Sequence, residues 1–319
     1  MNLIICTTPF QMLIAEKIIH YYPNRKFHLF VITHNYNDKY IYYYNRLRGF
    51  CENSSYIKLL PQGRSKIYTL LDLIYLRVYS FFLPKYDTIF LANVEDIWIQ
   101  TFLSRYINTS NICTYDDGTA NIIYSSYLYK EKSYGFINRF CFKLIGKKFT
   151  LTIFRNVSKL HFTIYKFKRN IIEKTQYIEL YSKPNSAELS IDNREEICIF
   201  LGQPIYQFDR KLYDTIPKFI RKYNIENYFC HPREDILNLK LPDINFIKTE
   251  FIFEDYIIRM INENNYKFKV YTFFSGAILN IVNFPNVEVY AIKSQSIPES
   301  VNSIYNIFQD SGVNVIEEE

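Results

Sequence analysis

The sequence predicts an α/β protein made of two Rossmann-like units, each with a parallel sheet, and three observations lead there. Strand-length apolar runs alternate with helix-length ones from the first residues: Leu3 to Cys6, Phe10 to Tyr21, Phe27 to Thr33. That alternation is the mark of βαβ units. Three later runs, Ile197 to Leu201, Tyr228 to Cys230 and Val270 to Phe274, are almost unbroken in apolar residues and end in polar or Gly positions. Buried parallel strands read this way, because helices cover both faces of their sheet. Between the two series lies Ser182 to Glu196, with Pro184, Asn185 and several charges, which reads as a linker. The domains are therefore set at 1–185 and 186–319, and 319 residues suffice for two cores.

Composition narrows the function classes. Hydrophobic residues at 48% and charged residues at 22% fit a globular chain. The formal charge of +6 comes without a long Lys/Arg block or a nucleic-acid motif, so the partner expected is an anionic small molecule or a membrane surface. Thirty Tyr and 27 Phe suit sugar stacking or lipid headgroup contact, or reflect coding bias that fills core and surface alike. The six cysteines, at 6, 51, 113, 141, 198 and 230, show no CxxC or metal spacing and point to a reducing compartment. Met1 to Cys6 lacks a basic n-region and its apolar run breaks at Pro9, so neither a signal peptide nor a membrane span is expected there.

In the first half, Thr7-Thr8-Pro9 makes a turn into the first helix. With eight glycines and no GxGxxG or GxxxxGK[ST], NAD and P-loop chemistry lose their usual support. Asn35 to Leu47 runs through a Tyr-rich loop into a helix. Ile67 to Leu83, strongly apolar and stopped by Pro84, is expected to be a buried helix, since Asp72 and Arg77 argue against a span. Thr88 to Ala92 is the next strand. Asn111 to Thr119 is a strand ending in Asp116-Asp117-Gly118. These residues are either an Asp-Gly turn or a carboxylate pair that raises its own proton affinity and supplies a base. From Tyr127 to Arg169 the chain is basic and aromatic, which suits a solvated face or contact with anionic headgroups.

In the second half, ligands of an open α/β sheet bind beyond the carboxyl ends of its strands. His231-Pro232-Arg233 follows a short strand there. It is either a solvated turn or an imidazole held for proton donation, with a guanidinium fork for an anion beside it. Ser275-Gly276 reads as a strand-to-helix turn, either an ordinary Ser N-cap or a phosphate seat made of backbone amides.

The chain resembles the bacterial sialyltransferases of glycosyltransferase family 52. The matching stretches are Pro9-Phe10-Gln11-Met12 with Ala15-Glu16, Asp116-Asp117-Gly118-Thr119, His231-Pro232-Arg233, Glu254-Asp255-Tyr256-Ile257 and Tyr271 to Ala277, followed by Phe284-Pro285-Asn286-Val287 and Val289-Tyr290-Ala291, all in family order. The resemblance implies a GT-B fold, two Rossmann-like domains facing across a cleft. It implies an inverting, metal-independent transfer from CMP-sialic acid to a galactose-terminated glycan in α-2,3 linkage, with no cofactor. His231 then stabilises or protonates the departing phosphate, and Asp209 is the matching base, with Asp214 a rival and Asp117 in reserve. Phe229, Cys230, Pro232, Arg233, Phe253, Glu254, Ser275 and Gly276 line the donor; Asp116, Asp117 and Gly118 lie on the acceptor side. A cytoplasmic enzyme in peripheral contact with the inner membrane, and a homodimer, are further expectations. The same cradle would hold another nucleotide sugar such as UDP-glucose. A non-catalytic glycan-binding module would keep its sugar affinity without His231 and Asp209.

Overall fold

The computed structural model describes residues 1–60, 66–166, 168–181, 195–205, 210–232, 234, 241, 244–264, 266–295, 297 and 301–318. Two compact units divide the chain, Met1–Leu180 and Tyr181–Glu319. The expected boundary at 185/186 and most of the linker fall at 182–194, outside the described residues.

The first unit contains β1 (Asn2–Cys6), α1 (Pro9–Tyr21), β2 (Phe27–Thr33), α2 (Asp38–Arg48), β3 (Asn53–Lys58), α3 (Lys66–Phe81), β4 (Thr88–Leu91), α4 (Ile97–Leu103), β5 (Asn111–Tyr115), α5 (Phe136–Ile145), α6 (Leu151–Val157), β6 (Ser158–Thr163) and β7 (Thr175–Tyr177). Its sheet runs β3-β2-β1-β4-β5-β6-β7, and all six pairings are parallel. Every residue of β1, β2 and β4 is buried, as a strand with helices on both sides requires. The Thr-Thr-Pro turn starts α1 for a local reason. Thr8 is the N-cap and accepts from the Gln11 amide, while Pro9 takes the first helical turn, where its missing N–H is not needed. Glu16 of α1 and Arg46 of α2 close a two-pronged ion pair, Nε to Oε2 at 2.7 Å and Nη2 to Oε1 at 2.8 Å.

One expectation is overturned here. The 67–83 segment is a helix, but it is not buried. Within α3, Leu73, Leu76 and Ser80 are buried, whereas Ile67, Leu71, Ile74, Tyr75, Val78 and Phe81 are exposed. Residues spaced by three, four and seven share one helical face, and this apolar face turns outward.

The second unit contains β8 (Glu196–Leu201), α7 (Arg210–Lys222), β9 (Asn227–Phe229), β10 (Asn245–Ile247), α8 (Phe253–Asn264), β11 (Lys267–Thr272), β12 (Val287–Ser294), α9 (Ser303–Asp310) and β13 (Asn314–Glu318). The order is β10-β9-β8-β11-β12-β13, again all parallel. In chain order these strands read 3-2-1-4-5-6, the Rossmann arrangement, and the order reverses between β8 and β11. The first unit reverses between β1 and β4 in the same way. Among the described residues, no helix is long and apolar enough to cross a membrane.

Candidate active site

A reversal of strand order opens a crevice, because the loops after the two central strands leave in opposite directions. In the second unit these loops begin at Gly202 and Phe273. The Gln203 side chain, buried between them, ties them together: its Oε1 accepts from the Phe274 amide at 3.0 Å and from Thr272 Oγ1 at 3.2 Å. The same hydroxyl reaches the Leu201 carbonyl at 3.0 Å.

Beside this pair, β9 delivers Phe229, Cys230 and His231. A carboxylate that sequence reading missed holds them. Glu234 Oε1 accepts from the Tyr228 hydroxyl at 2.5 Å, and its Oε2 accepts from the His231 amide at 3.2 Å. Burial pushes its carboxyl up to about 7, against the hydrogen bonds from Tyr228, His231 and the Gln203 backbone. The carboxylate packs directly over Gly202, where a Cβ would stand 2.2 Å from Glu234 Oε2 and 2.6 Å from Tyr228 Cε1. Any larger residue at 202 would have to displace the Glu234 carboxylate and the end of the Tyr228 ring, so glycine is what lets Glu234 pack here undisturbed.

The other donor-side residues gather around the same edge. Phe229 is buried edge-on against Phe253, ring centroids 5.1 Å apart. Glu254, one residue into α8, is buried and accepts from Asn280 Nδ2 at 2.9 Å. Asn280 ends the helix that Ser275 and Gly276 start, so Glu254 and the Ser-Gly turn are braced together. That helix, Gly276–Asn280, is 3-10 and five residues long, where the sequence suggested an ordinary helix; Ser275 makes no side-chain cap bond to it. His231 is partly buried and Pro232 is exposed. Arg233 and Asp209 lie outside the described residues, and Asp214 is exposed on α7.

Burial also lifts the Glu254 carboxyl from its ordinary 4.5 to about 7, with the Asn280 bond opposing and Asp255 adding. The folded state therefore keeps a proton that the unfolded chain releases at lower pH, so this group's contribution to stability is largest below about pH 4.5 and declines as pH rises towards about 7. The urea midpoint of the wild type is expected to fall between about pH 5 and about pH 8 by more than that of Glu254→Gln. Parallel pH profiles would refute the raised carboxyl.

In the first unit, the end of β5 sorts the two adjacent acids. Asp116 and His161 are 0% exposed. Asp116 Oδ1 accepts from His161 Nε2 at 2.9 Å and Asn170 Nδ2 at 2.8 Å; its Oδ2 accepts from Thr163 Oγ1 and the Ile164 amide, both at 2.7 Å. The far nitrogen of His161 meets Thr114 Oγ1 at 2.8 Å. Asp116 is thus a clamp between β5 and β6, its four hydrogen-bond positions filled from within the first unit. Asp117 turns the other way. Gln11 Nε2 donates to its Oδ1 and the Tyr127 hydroxyl to its Oδ2 at 3.3 Å, and burial pushes its carboxyl up to about 6. Gln11 spends its carbonyl on the Thr7 amide at 2.6 Å, which fixes the amide end towards Asp117. Gly118, at φ +115°, adopts a backbone that side chains resist.

Neighbouring loops complete this edge with residues the sequence did not single out. Asp96 caps α4, accepting from Trp98 and Ile99 amides at 2.7 and 3.1 Å, and burial lifts it to about 6. The rings of His34 and Trp98 meet edge-on at 4.7 Å. His34 Nε2, Trp98 Nε1 and Asn93 Oδ1 are buried without a hydrogen-bond partner among the described residues. Buried polar atoms of this kind need an explanation, and a bound polar ligand is one. Also among the described residues, no three His, Cys, Asp or Glu side chains group to hold a metal ion.

Comparison with known proteins bears on both edges. The signature of Glycosyltransferase family 52 matches residues 24–296. The chain is 36% identical over 318 residues to the CMP-N-acetylneuraminate:beta-galactoside alpha-2,3-sialyltransferase of Pasteurella multocida (strain Pm70), covering 99% of each. It is 35% identical to the N-acetyllactosaminide alpha-2,3-sialyltransferase of Neisseria meningitidis, covering 99% of this chain and 85% of the relative. Among solved structures it is similar to the UDP-GlcNAc 2-epimerase of Methanocaldococcus jannaschii (TM-score 0.59, 13% identity, 99% of this chain and 88% of that one). A UDP-glucosyltransferase from Polygonum tinctorium is also similar (TM-score 0.54, 9% identity, 100% and 85%). At such identities the structural likeness concerns the fold alone, the two-unit α/β architecture of the GT-B class. With the signature spanning most of its length and relatives aligned from end to end, the chain belongs to glycosyltransferase family 52.

Proposed function

We propose that the protein is an inverting sialyltransferase, moving sialic acid from CMP-sialic acid to a terminal galactose in α-2,3 linkage on lipooligosaccharide or another surface glycan. The observation that carries this reading is the end-to-end alignment with the Pasteurella protein of that name at 36% identity. The packing of Phe229, Phe253, Glu254 and the Ser275-Gly276 turn about one edge of the second unit supports it.

In this mechanism the acceptor oxygen bonds to the anomeric carbon from the face opposite CMP while the bond from that carbon to the phosphate oxygen breaks. The hydroxyl proton passes to Asp209. The bonding pair leaves with CMP, and His231 protonates or stabilises its phosphate, helped by Ser275 and Gly276. With the charge met in this way, no metal is needed. Asp117, fixed by Gln11 and Tyr127, takes the acceptor side, where the atoms of His34, Trp98 and Asn93 that find no partner among the described residues suit sugar hydroxyls. Work in the cytoplasm, peripheral contact with the inner membrane and homodimer assembly complete the reading.

The test is CMP release from CMP-sialic acid with lactose in EDTA, for the wild type, Asp209→Asn and Asp117→Asn. Release that persists in EDTA, falls by about 10²- to 10⁴-fold in kcat for Asp209→Asn and shows chiefly a raised lactose KM for Asp117→Asn is expected. A kcat collapse confined to Asp117→Asn would move the base to the first unit. Turnover of UDP-glucose with no CMP release would discard the donor.

A further inference from the structure

Resting on the peripheral-contact reading above, we propose that the outer faces of α3 and α5 dock on an anionic bilayer, and that a basic cavity beside α5 receives the phosphate of a lipid headgroup. Helix α5 has no buried residue. Phe136, Ile137 and Leu144 are 76%, 76% and 72% exposed, and Phe140 is 55% exposed. At 100° per residue these four fall within one 100° stripe, and the i, i+4 pair Arg139 and Lys143 lies along its flank. An amphipathic helix with aromatic and aliphatic residues on one side and cations along the flank lies in the plane of a membrane interface. Helix α3, packed against α5, adds the outward stripe already described, with Ile67 68% exposed, and Phe82 just beyond it is 82% exposed.

Charge selects the occupant. A cavity of about 730 Å³ opens next to α5, lined by Arg139, Lys143, Lys147, Lys148 and Lys132, with Glu131 as its one acid. Glu131 is engaged, its Oε2 accepting from the Thr152 amide and hydroxyl at 2.8 and 2.9 Å. Lys132 reaches Glu95 at 3.6 Å, and Lys147 donates to the Phe149 carbonyl at 2.9 Å. Among the described residues, Arg139, Lys143 and Lys148 form no ion pair. At the α3 side of the cavity, a Cβ on Gly146 would sit 3.5 Å from Nη2 of Arg77, whose other terminal nitrogen is buried without a partner among the described residues. A second copy of this chain would bring the same cations against these cations. A phosphate-bearing bilayer meets the apolar stripe with acyl chains and the cations with headgroups, and the long basic side chains reach up to them.

The full chain is sedimented with phosphatidylcholine vesicles, with or without phosphatidylglycerol. Wild type is expected to bind the mixed vesicles and hardly the neutral ones. Arg139→Gln with Lys143→Gln should weaken that binding about 25-fold, from about fivefold per cation. Phe136→Ser with Phe140→Ser should weaken it by at least as much, and both variants should keep the far-ultraviolet circular dichroism and lactose kinetics of the wild type. Wild-type failure to bind would overturn the membrane reading as a whole; wild-type binding matched by both variants would overturn this surface alone. Complete release by inorganic phosphate would reduce the cavity to a general anion site, and variants that lose self-association rather than vesicle binding would give the face to a second copy. Vesicle binding by a protein that transfers nothing to lactose would sink the proposed reaction and keep the surface.

Discussion

His231→Ala is expected to lower kcat for sialyl transfer by about 10²- to 10⁴-fold while leaving the dissociation constant of CMP-sialic acid within about tenfold. The imidazole is asked to act only when negative charge builds on the departing phosphate, so its loss falls on the transition state more than on the bound ground state. Its place depends on Glu234, whose carboxylate holds the His231 amide and the Tyr228 hydroxyl at the mouth of β9. Glu234→Gln keeps the shape but turns one of two accepting oxygens into a donor, and should show a milder fall in kcat, because it moves the histidine without removing it. Single-turnover rates with saturating donor measure the fall in kcat, and equilibrium binding of CMP-sialic acid measures the change in its dissociation constant. A His231→Ala enzyme that turns over within about threefold of the wild type would remove this residue from the chemistry.

Asp116→Ala should cost several kcal/mol of stability, since each buried donor left without its acceptor costs about 1–3 kcal/mol. Four donors converge on this carboxylate, and alanine leaves His161, Asn170, Thr163 and the Ile164 amide without it in a region closed to water. Asp116→Asn should lose less, since its carbonyl still accepts, but its amide would face donors where Oδ2 accepted. Urea unfolding followed by tyrosine fluorescence and circular dichroism reads both. A loss below about 1 kcal/mol for alanine would show that water or a neighbour replaces the carboxylate, and would refute the clamp.

The parts of this protein that could be read from its residues are those where burial acts on both faces of a strand. β1, β2 and β4 announce themselves as apolar runs because little that is polar survives there: only Asn2, His28, Thr33 and Thr88 interrupt them. The edge strand β3, Asn53-Ser54-Ser55-Tyr56-Ile57-Lys58, has one buried residue, so burial leaves it no apolar run, and β6 carries its polar residues into a buried network. Composition also misjudged α3: it counts apolar residues, and whether they face in or out depends on what packs beside them. At Asp116-Asp117 the chain order alone cannot tell the two acids apart, although successive side chains at a strand's end point to opposite sides. Glu234 was missed because its meaning lies in Gly202, far back in the chain, which has no side chain to announce the contact.

Both sheets place their first strand in the middle, and this has a consequence for synthesis. β1 leaves the ribosome before both of its neighbours, β2 and β4, and the latter begins at Thr88. At about 5–20 residues per second, the second flank of β1 stays unmatched for roughly 4–17 s, while Leu3, Ile4 and Ile5 stand in water. During that interval the nascent chain has an open, sticky edge that a holding chaperone would cover. Substitutions that slow translation of residues 30–90 should therefore reduce the yield of soluble enzyme without altering the finished fold.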